Sequence, residues 1–324
     1  TGTSGVLVLV YLVIMLVGQP VAGRLGVLVG YRRVVVVALA GVGAASLGAV
    51  AVSSFAALVA VRGLQAVFAA GVVPNVQATI RATTAPERRG RIFGVFGAMV
   101  GAGAAVGPLV GGAVTALAGW PAVFLVNLPI VVLALLLVRG GEEPAIDSHP
   151  DGAAAGVAPR AESRVWNKRF VGAFGTQALT TFGQYTLILV VPLMLDQRGW
   201  GAGAVGAAVT SLSIGMVVMG PPGGSYGDRH GRRRPAAIGV GAAAIAIGVA
   251  AIAGAGVHAV ALMGVLTAYG FGFGFAAPSL MTAAVESAPP ERAATASGIF
   301  STSRYTGSIP ASVCFSLIIG AGVA

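Results

Sequence analysis

Ten apolar stretches, each about as long as a lipid bilayer is thick, dominate this sequence of 324 residues. An α-helix needs about 20 mostly apolar residues to cross the hydrocarbon core of a bilayer. Short breaks with Gly, Pro, Ser or clustered Arg separate most of the stretches, as is typical of turns between helices. We therefore predict ten membrane-spanning helices, over residues 4–22, 33–52, 55–80, 92–117, 120–138, 169–195, 202–220, 235–254, 257–284 and 294–322.

The low charge content argues against most soluble classes of protein. Only 9% of the residues are charged and 56% are hydrophobic, whereas soluble domains carry about 25% charged residues. So few charges cannot cover a globular surface in water, which excludes a typical soluble enzyme, nucleic-acid binder or disordered chain. Glycine accounts for 50 residues, and small residues permit the close helix–helix approach that is common in lipid.

The positions of the basic residues indicate the orientation of the spans. Seventeen of the 20 Lys and Arg residues lie in alternate connections between predicted spans, and such basic connections face the cytoplasm. Topology and attraction to anionic lipid headgroups thus explain the net charge of +10, and no nucleic-acid partner is expected. A polar linker, 139–168, falls on the cytoplasmic side and separates a predicted N-terminal bundle, 1–138, from a C-terminal bundle, 169–324.

The two halves of the chain resemble each other. Matching residues are 201 positions apart around the first basic loop of each half and 204 positions apart further along: Pro20 with Pro221, Gly23 with Gly224, Pro74 with Pro278, and Gly94 with Gly298. Each half has five spans with the same orientation, which predicts parallel repeats related by an axis along the membrane normal. Such repeats place a substrate site between them and transport by rocking.

Residues 224–234 form a short basic turn, Gly-Ser-Tyr-Gly-Asp-Arg-His-Gly-Arg-Arg-Arg. The run resembles the loop signature G-x-x-x-D-R-x-G-R-R of the major facilitator superfamily, where this loop is a gate element that stabilises one transport state. Asp228 can meet a helix N-terminus or an Arg side chain. The resemblance assigns the gating role to Gly224, Asp228, Arg229, Gly231 and Arg232, with a plain positive-inside loop as the alternative.

The first-half copy of this loop has lost its charged pair. Val27 and Leu28 stand where the family has Asp and Arg. A latch based on charge is therefore not expected in the first half.

A second signature lies inside the third predicted span. Arg62-Gly-Leu-Gln65 resembles the family run R-x-x-Q-G, with Ala66 in place of the glycine. An Arg at membrane depth is costly unless it finds partners. In proton-coupled members of the family the matching Arg is linked to proton transfer, and a structural Arg bonded to backbone carbonyls is the alternative.

The fourth predicted span resembles the antiporter signature of the drug:proton exchangers in the same superfamily. The matching positions are Gly103, Gly107, Pro108, Gly111 and Gly112. Small residues at this spacing form a flat face for close helix packing, which is also a generic feature of membrane bundles. Partial matches to the drug-antiporter branch follow at Trp120–Pro129, which includes Asn127, and at Arg304 in the last span.

The resemblance also predicts what lies beyond the chain. In the family the first signature loop follows the second helix, so one of twelve helices is expected before Thr1 and one after Ala324. None of the ten acidic residues lies in the middle of a predicted span, although proton-coupled exchangers usually have a carboxylate at membrane depth. Asp196 and Glu286 are the nearest candidates, and we expect both to be interfacial charges.

We therefore predict an all-α integral membrane protein with the major facilitator fold, two pseudo-symmetric bundles and ten of twelve helices. The expected function is proton-coupled efflux of drugs or small metabolites through the cell membrane by a monomer, with no catalysis, cofactor or metal ion. The alternatives are a uniporter or symporter of a small metabolite and a truncated, non-transporting remnant. Candidates for the substrate and proton pathway are Gln19, Arg62, Gln65, Asn75, Asn127, Gln184, Tyr185 and Arg304, each of which could instead make an interhelical hydrogen bond.

Overall fold

The computed structural model describes residues 2–52, 54–139, 165–253 and 259–320, and all regular structure in these ranges is helical. Most of the predicted linker lies outside them. The α-helices are α1 (Gly2–Val29), α2 (Tyr31–Val50), α3 (Phe55–Ala69), α4 (Val72–Thr83), α5 (Pro86–Ala118), α6 (Ala122–Leu125), α7 (Asn127–Arg139), α8 (Lys168–Gln197), α9 (Ala202–His230), α10 (Arg233–Ala253), α11 (Ala259–Ser287) and α12 (Ala293–Gly320). A short 3-10 turn, Pro290–Arg292, precedes α12.

Eight helical segments of the described chain are long and apolar enough to cross a membrane: Val10–Val29, Tyr31–Val50, Phe55–Thr83, Pro86–Ala118, Lys168–Leu195, Val205–His230, Arg233–Ile252 and Val260–Ser287. Two of the ten predicted spans differ from this pattern. The span predicted over 120–138 is divided into α6 and α7 and forms a shorter apolar segment, Ala122–Val138. The last predicted span is the continuous helix α12, whose many Ser and Thr residues lower its hydropathy.

Matching glycines form the turns after α1 and after α9. Gly30, between α1 and α2, has a φ of 98°, and Gly231, between α9 and α10, has a φ of 81°. Residues with a side chain rarely adopt this left-handed backbone, which glycine reaches without steric cost. The two glycines are 201 residues apart, so the two halves share the backbone conformation of this turn as well as its sequence.

The described residues group into two compact units, and each unit takes helices from both halves of the sequence. The first unit comprises Thr1–Thr83, Val110–Phe170 and Val285–Thr302, and the second comprises Thr84–Leu109, Val171–Ala284 and Ser303–Ala324. The bundle boundaries at 1–138 and 169–324 stay a prediction. In the second unit, side chains from α8, α9, α10 and α11 share a buried core that includes Leu195, Leu212, Leu266 and Tyr269.

Equivalent glycines bring helix backbones together in both units. At each of them an added methyl group would overlap the backbone of the facing helix, so any larger residue would push the helices apart. In the first unit the pairs are Gly23 with Ala294 and Gly298 with Gln19; in the second they are Gly224 with Gly90 and Gly94 with Gly220. Each pair joins a helix of the first sequence half to a helix of the second, and the offsets of 201 and 204 relate the two sets.

Candidate functional site

The carboxylate of Asp228, at the end of α9, binds the beginning of α5. Its Oδ1 accepts a hydrogen bond from the Gly90 backbone N–H at 2.8 Å, and its Oδ2 accepts one from the Arg91 N–H at 2.8 Å. A negative charge near a helix N-terminus is stabilised by the helix dipole and by backbone donors. Asp228 therefore fastens the loop after α9 to α5 within the second unit.

Arg232 completes this contact from the other side of the loop. Its Nη1 lies 2.5 Å from Asp228 Oδ1, and its Nη2 donates to the Pro86 carbonyl oxygen at 3.2 Å. The side chains of Arg232 and Asp228 are only 16% and 6% exposed, so water screens this pair less than a surface pair. We call Asp228, Arg232 and the α5 groups that they bind the ionic latch.

The equivalent loop in the first unit makes an apolar contact instead. Val27 and Tyr31 occupy the positions that Asp228 and Arg232 occupy in the second half, each 201 residues earlier. Tyr31 forms a buried cluster with Ala78 of α4 and Ala294 of α12, and Val27 packs against it. We call these four residues the apolar latch.

Polar groups that sequence reasoning missed lie near the apolar latch. The guanidinium of Arg81, in the last turn of α4, donates to the carbonyl oxygens of Val285 and Ala288, the latter at 2.9 Å, around the end of α11. Asn167 Nδ2 donates to the Ser287 carbonyl at 2.9 Å, and the hydroxyl of Ser297 is hydrogen-bonded to Gln77 Oε1. Carbonyls at a helix C-terminus have no partners within the helix, so Arg81 and Asn167 act as side-chain caps of α11.

The predicted pathway residues Arg62, Gln65 and Asn127 lie together in the first unit. Arg62 Nη1 donates to Gln65 Oε1 at 2.6 Å, and Gln65 Nε2 donates to Ser46 Oγ at 2.8 Å. Asn127 Nδ2 donates to the same Ser46 oxygen at 3.2 Å. The Arg62 guanidinium carbon lies 5.1 Å from the centre of the Tyr11 ring and 5.6 Å from that of Phe124. We call this arrangement the Arg62 cluster.

Two other predicted pathway residues occupy positions near the apolar latch. Asn75 is fully buried in α4, and its Nδ2 donates to the carbonyls of Gly71 at 2.8 Å and Ala22 at 3.1 Å. Gln19 is 2% exposed in α1, and its backbone meets Gly298. Ala22 belongs to α1 and Asn75 to α4, so Asn75 makes a hydrogen bond between two helices. This contact agrees with the alternative that Asn75 has a structural role.

The remaining pathway candidates lie in the second unit. Arg304 of α12 is half-buried and within electrostatic range of the hydroxyl groups of Tyr185 and Tyr305. Gln184 Nε2 points at Met216 Sδ at 3.5 Å. Tyr269, which is buried on α11, donates its hydroxyl hydrogen to the Thr180 carbonyl of α8.

The predicted packing face of the antiporter helix is only partly occupied. A methyl group at Gly103, Gly107, Gly111 or Gly112 would meet no described atom within 4 Å. Close contacts of α5 occur earlier in the helix, where Gly90 and Gly94 meet the backbone of α9 and Gly101 meets Val217. The antiporter role of the later glycines and Pro108 therefore stays a prediction from the resemblance.

Comparison with known proteins shows the family. A family model described as Major Facilitator Superfamily matches residues 1–312. The chain belongs to this superfamily of membrane transporters.

Curated relatives of the chain include resistance and export proteins. Puromycin resistance protein pur8 of Streptomyces alboniger is 43% identical over 118 residues, which are 36% of this chain and 24% of that protein. The tetracenomycin C resistance and export protein of Streptomyces glaucescens is 35% identical over 126 residues, 39% of this chain and 23% of that protein. The matches thus span less than a third of these relatives, and they confirm the resemblance to the drug-export branch.

A solved structure shows the same fold. The crystal structure of the E. coli fucose:proton symporter FucP matches with a TM-score of 0.78 and 14% sequence identity, and the match covers 99% of this chain and 85% of that one. At this identity the likeness concerns the fold, and it confirms the predicted all-α major facilitator architecture.

Proposed function

We propose that this chain forms the transporting core of a proton-coupled exporter of drugs or small metabolites in the cell membrane. In this proposal the protein acts as a monomer by alternating access, with the linker 139–168 in the cytoplasm. The resistance and export functions named for its relatives support the substrate class. The positive-inside distribution of Lys and Arg supports the orientation.

The ionic latch is the observation that carries the proposal. It joins α5 of the first sequence half to the end of α9 and the turn after it in the second half through three hydrogen bonds, two accepted by Asp228 and one donated by Arg232 to the Pro86 carbonyl. Rocking of the halves has to separate these groups, and polar contacts between helix ends can form and break repeatedly without unfolding either helix. The latch would therefore stabilise one of two transport states.

Transport by the full protein in proteoliposomes tests the proposal. We expect an imposed pH gradient to drive accumulation of tritiated puromycin, and we expect an ionophore that collapses the gradient to abolish it. The variant D228N should transport more slowly, whereas R33Q, which removes a charge from the exposed Arg33 side chain, should behave as the wild type. Flux driven by a sodium gradient and not by a pH gradient would contradict proton coupling.

A uniporter of a small metabolite is the second candidate, because no acidic residue lies in the middle of a predicted span. A uniporter equilibrates its substrate without any ion gradient. Equal rates of puromycin exchange with and without the pH gradient, and no accumulation above equilibrium, would favour this alternative.

A further inference from the structure

The Arg62 guanidinium is an incompletely satisfied cation inside a membrane span. Among the described residues, its hydrogen bond goes from Nη1 to Gln65, and neither Nε nor Nη2 has an acceptor. A guanidinium offers five N–H donors in a planar fork and stays charged in proteins. Most of its capacity to bind an anion is therefore unused.

Arg62 lies at a depth where this charge is costly. It is seven residues from the start of α3, which corresponds to about 10 Å along the helix axis. The other members of the cluster lie at similar positions: Ser46 is near the end of α2, and Phe124 is near the start of the α6–α7 segment. An Arg inside the hydrocarbon region is expensive without a partner, and such residues mark substrate or ion pathways.

In the part of the chain that the structure describes, no carboxylate is paired with this cation. The acidic residue nearest to Arg62 in the sequence is Glu87, in the first turn of α5. The polar neighbours that the structure does provide, Gln65, Ser46 and Asn127, are neutral amides and a hydroxyl. The cluster consequently has a net positive charge.

Two aromatic rings flank the same cation. Tyr11 and Phe124 lie on the guanidinium at distances typical of cation–π contacts. Both rings and the guanidinium are half-buried, whereas Gln65 is 4% exposed and Ser46 is fully buried. The accessible part of the cluster thus consists of a charged planar fork and two aromatic rings, with the neutral network behind it.

From this arrangement we propose that the Arg62 cluster is a binding site for planar aromatic substrates that carry an acidic group. The free N–H groups of Arg62 would hold a carboxylate or phenolate oxygen, and Tyr11 and Phe124 would contact the aromatic body. Gln65, held by Ser46, positions the guanidinium. The inference rests on the proposed transport function and adds aromatic acids to its substrates.

Equilibrium binding of three probes with the same ring system tests the proposal. Naphthoate is anionic, naphthalenemethanol is neutral and naphthylmethylammonium is cationic, and calorimetry on the full protein in nanodiscs gives each affinity. We expect naphthoate to bind best and the cation to bind worst. Hydrogen bonds to charged groups contribute about 1.5–3 kcal/mol, so naphthoate should exceed the neutral probe by roughly tenfold to a hundredfold.

Substitutions then locate the source of this preference. R62Q should remove the preference for the anion. R62K should keep the same order of affinities for the three probes but bind naphthoate more weakly, because Lys lacks the planar fork. Y11L should weaken all three probes by a similar factor. R33Q is the matched control for loss of one Arg charge and should bind as the wild type does, and the unfolding midpoint of each variant shows that it is folded.

Three outcomes would overturn the proposal: tightest binding of the cationic probe, an anion preference that survives in R62Q, or no charge preference in the wild type. The last outcome would mean that a carboxylate from elsewhere already neutralises Arg62. Failure of the proposed function has a different signature. An intact anion preference without pH-driven flux refutes proton coupling alone, whereas pH-driven flux without an anion preference refutes this site alone.

Discussion

The loops after α1 and α9 occupy equivalent places in the repeat, yet they hold their facing helices by different chemistry. In the second unit, Asp228 and Arg232 bind α5 through its backbone N–H groups and the Pro86 carbonyl. In the first unit, Val27 and Tyr31 pack against Ala78 and Ala294. The glycines that bring the helices together, Gly224 and Gly23, are retained in both.

This difference separates two requirements of such a contact. Close approach of the helix backbones depends on glycine, and it is the same in both units. The side chains that stabilise this approach differ: they form an ion pair in the second unit and an apolar cluster in the first. The first unit also has the Arg81 and Asn167 caps on the end of α11. We infer that polar caps and apolar packing replace the lost carboxylate of the first-half loop.

Removal of the Asp228 carboxylate should have the largest effect. D228A removes the ion-pair partner of Arg232 and the carboxylate acceptor of two backbone N–H groups of α5, and breaking a buried ion pair by removing one partner costs about 3 kcal/mol or more. V27A is the matched change in the apolar latch and removes two methyl groups, worth at most about 1.5 kcal/mol. Unfolding midpoints in detergent measure both. A smaller shift for D228A than for V27A would contradict the assignment of the ionic latch.

Glycine substitutions should have intermediate effects that are similar in the two units. G224A and G23A each place a methyl group against a facing backbone, and overpacking of this kind typically costs about 1–3 kcal/mol. The control G172A adds the same methyl group on α8, where no described atom lies within 4 Å. We expect G224A and G23A to lower the unfolding midpoint and the rate of transport and G172A to change neither. Tolerance of either close-contact variant would show that the helix approach in that unit is not tight.

Transfer of the whole charged pair to the first unit should have the smallest net effect, because the second substitution offsets part of the cost of the first. V27D places a carboxylate beside the buried Tyr31 ring, and an incompletely paired polar group costs about 1–3 kcal/mol. The double variant V27D/Y31R adds the cation that the second unit has, so we expect it to recover part of this loss. A double-mutant cycle on unfolding midpoints measures the coupling. No coupling between positions 27 and 31 would mean that the two loops are not structurally interchangeable.

The ionic latch was largely predictable from the sequence, because Asp228 and Arg232 lie within one short run that matches a family signature. The run was predicted as a turn, whereas its first part is the end of α9 and only Gly231 has the backbone of a turn. The helices were predictable for a similar local reason, since a bilayer requires long apolar segments. The division of 120–138 into α6 and α7 was not, because an apolar run does not reveal a break in its helix. The glycine spacing of α5 indicated that another helix could approach it closely, but it did not indicate where. The close contacts with α9 are at Gly90, Gly94 and Gly101.

Contacts between distant segments were beyond reach of the sequence. Tyr11 and Phe124 flank Arg62 from other helices, and no local pattern pairs them. Arg81 and Val285 are an instructive case, because they are 204 residues apart and thus equivalent positions of the repeat. The 204-residue offset of the repeat therefore contained a signal for this contact.

Amide hydrogen exchange of the D228A variant tests the proposed rocking of the two sequence halves most directly. Both latches join one half to the other, so rocking has to separate both. Relative to the wild type, we expect deuterium uptake to rise in residues 84–94, where Asp228 binds, and also in residues 288–298 of the first unit. A rise confined to residues 84–94, with 288–298 unchanged, would contradict a concerted rocking motion.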